Sequence, residues 1–138
     1  MTASAPDCAN FELSLASEPA SVTRARREMA SIARDAGAPV DDVKVAVSEA
    51  VGNAVLHAYR DIPPGTITLR ARRGRDRLEI TVADDGSGMI PNVDSPGLGI
   101  GISLITRAAD DVQFGSSGSG TTVRMTFALD AEGDRERG

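Results

Sequence analysis

From Val40 to His57 the chain reads VDDVKVAVSEAVGNAVLH, with Val43, Val47, Ala50, Val51, Ala54 and Val55 recurring at helical spacing. A stripe that broad predicts a helix buried along most of its length, around which the rest of the fold has to be built. Asp41 and Asp42 place negative charge on its first turn, where the backbone dipole favours it. Within this apolar run stand Glu49 and Asn53. Four residues are about 400° of helical rotation, so the two side chains project from one face, about 40° and one turn apart. A strip turned to water is the ordinary explanation of such a pair. A carboxylate on so apolar a helix is nevertheless costly unless it has a partner or a task.

The segments on either side supply a cover for this helix. FELSLA alternates apolar and polar residues and predicts a strand from Phe11. Val22, Ala25, Met29, Ile32 and Ala36 predict a first helix over about 20–36, stopped by Gly37. DIPPG is a turn, and TITLRAR with RLEITVAD alternate as an antiparallel hairpin. The arginine-rich run from Arg70 to Arg77 brackets Gly74 at the mouth of that hairpin and reads as a solvated edge before a docking patch for an acidic protein. Asp85 to Gly101 hold five glycines and two prolines in seventeen residues, too many for regular structure. A third helix over about 100–109 follows, and DVQFGS with TTVRMTFAL make a second hairpin across SGSG.

The order β-α-α-β-β-α-β-β predicts an α+β fold, a two-layer sandwich with helices covering one face of a mixed, mostly antiparallel sheet. A chain of 138 residues with 41% hydrophobic content can bury such a core without disulfides or structural metal. One domain over 11–129 is expected, between tails over 1–10 and 130–138. Cys8 is the only cysteine, which leaves no intrachain bridge and no thiolate metal site. The net charge of −5 argues against a partner recognised through nucleic-acid phosphates. The N-terminus lacks a basic stretch followed by an apolar one, and no apolar run approaches the roughly 18 to 20 residues of a membrane span, so a cytoplasmic location is expected.

Single motifs decide little. DDGSG is a common turn after a strand, and an EF-hand fails for want of further carboxylates and the closing glutamate. GLGIG has the wrong glycine spacing and no leading strand for a dinucleotide fingerprint, and no GxxxxGK[ST] is present. What GLGIG does offer is bare backbone amides at a helix N-terminus, a ready anion site.

Taken in order, ExxxNAxxHA, then DxGxG at a strand end, then GxGxG opening a helix, then GSGTT before the last strand, the motifs resemble the nucleotide boxes of the GHKL or Bergerat-fold ATPases. The resemblance runs from about Phe11 to Leu129. It implies that Asn53 holds Mg²⁺ against the triphosphate of ATP, a role that hard oxygen ligands suit, and that Glu49 is the general base. Asp84 matches the aspartate that accepts from the adenine amino group, with Gly86 and Gly88 letting backbone approach the ring. Gly97, Gly99 and Gly101 match the second glycine box, and Thr121, with Thr122 the alternative, matches the last box near the base. His57 fits the pattern but is read as a cap or packing residue outside the site.

The branch is narrowed by the expectation of a stand-alone nucleotide domain, with no phosphoacceptor-histidine helices before it and no transducer domain after it. Met89 to Pro96, eight residues, make a short lid. Together with VKVAVSEAVGNAVLHAY this resembles the bacterial anti-sigma factors that are also serine protein kinases. The resemblance implies a homodimer that sequesters a sigma factor and phosphorylates a serine on a STAS-fold anti-anti-sigma antagonist. Leu98 departs from the arginine common between the first two glycines of GxGxG, which puts the transfer rate in question more than nucleotide binding. Two alternatives stay open: a nucleotide-binding regulatory module that captures a sigma factor or another regulator with little catalysis, and a kinase acting on a STAS scaffold in a stress complex. Retention of Glu49 favours catalysis, because a pure binder has no use for a base.

Overall fold

The structure, a computed structural model, describes residues 10–58, 65–85, 104–117 and 120–129. Five strands form one sheet: β1 (Asn10–Ala16), β2 (Thr66–Arg73), β3 (Arg77–Asp84), β4 (Asp111–Ser117) and β5 (Gly120–Ala128). Their order is β1-β2-β3-β5-β4, and every pairing among these strands is antiparallel. Two helices, α1 (Ala20–Ala36) and α2 (Val40–Asn53), lie between β1 and β2 in the chain. The element order and strand boundaries agree with the sequence periodicity to within a residue or two.

Alternation sorts each strand into two faces. Ile67, Leu69 and Ala71 of β2, Leu78, Ile80 and Val82 of β3, and Val123, Met125 and Phe127 of β5 are buried on the side that receives the helices. Val43, Val47 and Val51 of α2 and Met29 of α1 close over them, each fully buried. Every such aliphatic side chain taken from water contributes roughly 1.5 to 3 kcal/mol. On the opposite face Glu12, Arg70, Thr81, Arg124 and Gln113 lie in one row across the sheet. There Arg70 Nε donates to Glu12 Oε1 and Arg124 Nη1 to Gln113 Oε1, both at 3.3 Å, and such exposed pairs are worth under about 1 kcal/mol each.

The helix ends are fixed locally. Ser21 Oγ donates to the Ala16 carbonyl at 2.6 Å, tying the start of α1 to the end of β1. Gly37, at φ 85°, takes the left-handed conformation that ends α1, and the amides of Gly37 and Ala38 both donate to the Ala33 carbonyl at 2.9 Å. In α2, Asp41 and Asp42 occupy the first turn as expected. Its C-terminal end departs from the simple pattern: regular α-helix stops at Asn53, and Ala54–Ala58 continue as a π-helical turn. Of the predicted third helix, residues 104–108 are described as helical, and they anchor the buried Ile105. The amide of Gly74 closes the β2–β3 hairpin on the Arg77 carbonyl at 2.8 Å, at the position the sequence marked as a hairpin mouth.

Among the described residues one buried side-chain polar atom is unmatched: Ser48 Oγ on α2 has no hydrogen-bond partner there. Removing an unsatisfied buried hydroxyl costs nothing in lost bonding, and alanine is the better helix former. Ser48→Ala should therefore raise the unfolding free energy, by about 1 kcal/mol, as read by thermal or urea unfolding.

Candidate active site

The candidate residues come from three elements, α2, β3 and β5, and α2 packs on both strands. Glu49 and Asn53 stand one turn apart on α2, and both are half-buried. Asn53 is the last α-helical residue, immediately before the π-helical turn. The Ala54 amide is shared between the Ala50 and Val51 carbonyls, four and three residues back, a bifurcated bond of the kind common at helix ends. π-helical turns are frequent at functional sites because they re-aim the side chains beside them.

Asp84 is the last residue of β3 and falls in register between Ile67 on β2 and Thr121 on β5. Its neighbours two and four residues back, Val82 and Ile80, are buried against the helices, so strand alternation puts Asp84 on that same face. The packing of α2 on β3 and β5 completes the arrangement. The Thr121 amide donates to Asp84 Oδ1 at 3.3 Å, and Thr121 is itself buried. Two residues that the sequence placed in separate boxes are thus bonded to each other. A carboxylate can accept at about four lone-pair sites, so one amide orients Asp84 without exhausting it. The next residue, Asp85, accepts from the Thr66 amide at 3.0 Å, which fastens the exit of β3 to the start of β2.

Sequence reasoning missed Gly120. At φ 144° it occupies a backbone region that side chains disfavour, and a Cβ placed there would lie 1.8 Å from the Asp84 carbonyl oxygen. The last box therefore crosses directly over the strand end that presents Asp84. The signal was present in the glycine that precedes Thr121 in GSGTT. Gly86, Gly88, Gly97, Gly99 and Gly101 lie outside the described residues, as does Leu98, and so does the side chain of His57. Among the described residues no three His, Cys, Asp or Glu side chains gather into a metal-binding group. A divalent ion here would rest on nucleotide oxygens with a single carboxamide from the protein, a donor set that suits Mg²⁺.

A two-layer fold whose Glu/Asn-bearing helix packs on the strands that carry Asp84 and Thr121 defines a class. Residues 15–127 match the histidine kinase-like ATPase domain, and the chain belongs to that family. The serine-protein kinase RsbW of Bacillus velezensis (strain DSM 23117 / BGSC 10A6 / LMG 26770 / FZB42) is 34% identical over 140 residues, covering 88% of this chain and 87% of that one. The anti-sigma F factor of Clostridium beijerinckii (strain ATCC 51743 / NCIMB 8052) is 33% identical over 99 residues, covering 72% of this chain and 64% of its own. In fold, the chain is similar to the crystal structure of the RsbU and RsbW domains of Rv1364c from Mycobacterium tuberculosis. There the TM-score is 0.68 at 22% identity, over 89% of this chain and 34% of that one. No described helix is long and apolar enough to cross a membrane.

Proposed function

We propose that the protein is a cytoplasmic, homodimeric anti-sigma factor with serine protein kinase activity. It binds MgATP, holds a sigma factor, and phosphorylates a serine of a STAS-type antagonist. The observation that carries this reading is an Asp84 oriented by Thr121 at the end of a strand on which the helix bearing Glu49 and Asn53 packs, in a domain of the histidine kinase-like ATPase family. Relatives that share about a third of their residues with this chain and carry the names serine-protein kinase and anti-sigma factor support it.

In this reading each residue has one task. Asp84 accepts from the adenine amino group and selects ATP over GTP. Asn53 would hold Mg²⁺ through its side-chain oxygen, and the ion, when bound, offsets charge on the phosphate oxygens. Glu49 takes the proton of the acceptor serine as its Oγ bonds to the γ-phosphorus and the bond from that phosphorus to the β–γ bridging oxygen breaks, releasing ADP. Gly86, Gly88, Gly97, Gly99 and Gly101 supply backbone approach and amides to ring and phosphates, with Thr121 beside the base.

Transfer of radiolabelled phosphate from ATP to a serine of the STAS protein encoded nearest this one tests the activity. The nucleotide assignment is tested by calorimetry. Asp84→Asn replaces an acceptor oxygen by a donor and should weaken ATP binding by about 1 to 3 kcal/mol, the cost of an unmatched polar pair. Equal affinity of the unmutated protein for ATP and GTP would remove Asp84 from that role.

A further inference from the structure

DxGxG leaves its second position open, and in this chain that position is Asp85. The register of β3 with β2 ends at the pair Asp84 and Ile67, so Asp85 stands one step beyond the ladder, opposite Thr66. There the Thr66 amide donates to Asp85 Oδ1 at 3.0 Å. The carbonyl of the same peptide group, that of Gly65, accepts from the Ser17 amide at 3.1 Å, just past the end of β1. One peptide unit is thus gripped at both ends, and bonds in such a chain polarise and strengthen one another.

The place of that peptide in the chain gives the bond its interest. At 65–66 the chain coming from Asn53 and the π-helical turn enters the sheet, and at Asp85 the chain leaves it after Asp84. The Asp85 carboxylate therefore joins the arrival of one candidate box to the departure of the other. Asp85 is exposed, and strand alternation turns it to the face opposite Asp84, so it does not share the task of Asp84. Its bond is also the shorter of the two that side chains make at this strand end. The Thr121 amide reaches Asp84 Oδ1 at 3.3 Å, outside the usual N–H···O range of about 2.7 to 3.2 Å, whereas the bond to Asp85 lies within it.

We propose that Asp85 is a positioning residue of the nucleotide site, holding the end of β3 to the 65–66 peptide so that the Asp84 carboxylate stays aimed at the adenine amino group. This rests on the nucleotide reading of Asp84 above and adds the residue that keeps it in place. A binding group has to be held to within about 0.5 Å by the bonds behind it. Without the Asp85 bond the strand end is free to fray by one residue, and the backbone that carries Asp84 moves with it. Asparagine has the same side-chain oxygen at the same reach, so it should serve in place of Asp85, and alanine should not.

The test compares Asp85→Ala and Asp85→Asn with the unmutated full chain. Hydrogen exchange of the Thr66 amide, read by NMR on the nucleotide-free protein, reports the bond itself, and calorimetry with MgATP and with MgGTP reports its consequence. In Asp85→Ala the amide should exchange faster, and ATP affinity should fall roughly three- to tenfold, the range that the loss of one hydrogen bond spans. GTP affinity should stay within about twofold, because the phosphate-side contacts are common to both nucleotides. Asp85→Asn should match the unmutated protein within about twofold in all three. Unchanged ATP affinity in Asp85→Ala, an equal fall for ATP and GTP, or an asparagine variant as weak as alanine each overturns the positioning role and leaves the assignment of Asp84 standing. Equal affinity of the unmutated protein for ATP and GTP overturns that assignment and the role of Asp85 with it.

Discussion

Glu49→Gln should leave MgATP affinity within a few-fold while lowering phosphate transfer to the STAS serine by roughly 10² to 10⁴, the usual worth of a general base. The substitution keeps the shape and the hydrogen-bonding reach of the side chain and removes only its ability to take a proton. Its position one turn before Asn53, half-buried on α2, lets the two roles be separated in one helix. Asn53→Ala should weaken MgATP binding and abolish transfer together, because it removes the oxygen that would hold the ion. Capture of a sigma factor should survive Glu49→Gln, since binding asks nothing of a base. Radiolabel transfer run beside a pull-down reads all three. Transfer at the unmutated rate would remove Glu49 from the role of base. If neither the variant nor the unmutated protein transfers phosphate, the regulatory-module alternative gains.

The Glu49/Asn53 pair was legible because a helix repeats on its own scale. The apolar stripe of α2 fixed which way the helix turns, and two polar residues four apart then had to share a face whatever the rest of the chain did. Strand alternation did the same for Ile80 and Val82, and so for the face that Asp84 takes. The π-helical turn was not legible, because Ala54, Val55 and Leu56 continue an acceptable helical pattern. It shows only in the backbone of Ala54–Ala58. The bond from Thr121 to Asp84 was also out of reach. It joins residues 37 apart and depends on which strand lies beside β3, which the sheet order decides and local periodicity does not. Recognition of Asp84 as a site residue came from the order of the motifs, since an aspartate before a glycine-rich turn has no distinctive chemistry of its own.

That long-range dependence makes Gly120 the position with the largest expected structural effect. In Gly120→Ala the new methyl group would sit 1.8 Å from the Asp84 carbonyl oxygen and 2.9 Å from its carbon, both of them backbone atoms. Backbone cannot swing aside as a flexible side chain does, because Asp84 is paired to Ile67 on one side and to Thr121 on the other. The φ of 144° adds strain of its own. Overpacking and strained backbone each cost about 1 to 3 kcal/mol, so a combined loss on the order of 3 kcal/mol is expected. For a domain of this size that lowers the melting temperature by roughly 10 °C. The clash would also push the end of β3 away from Thr121 and misplace Asp84, so ATP affinity should fall with stability. Gly115→Ala on β4 is the matched control, since a Cβ there meets nothing within 4 Å, and it should change both quantities little. Calorimetry and thermal unfolding of the pair read the difference. Equal melting temperatures and equal ATP affinities for the two variants would mean that β5 does not cross over Asp84 in solution, and the orientation of Asp84 by the last box would fall with that crossing.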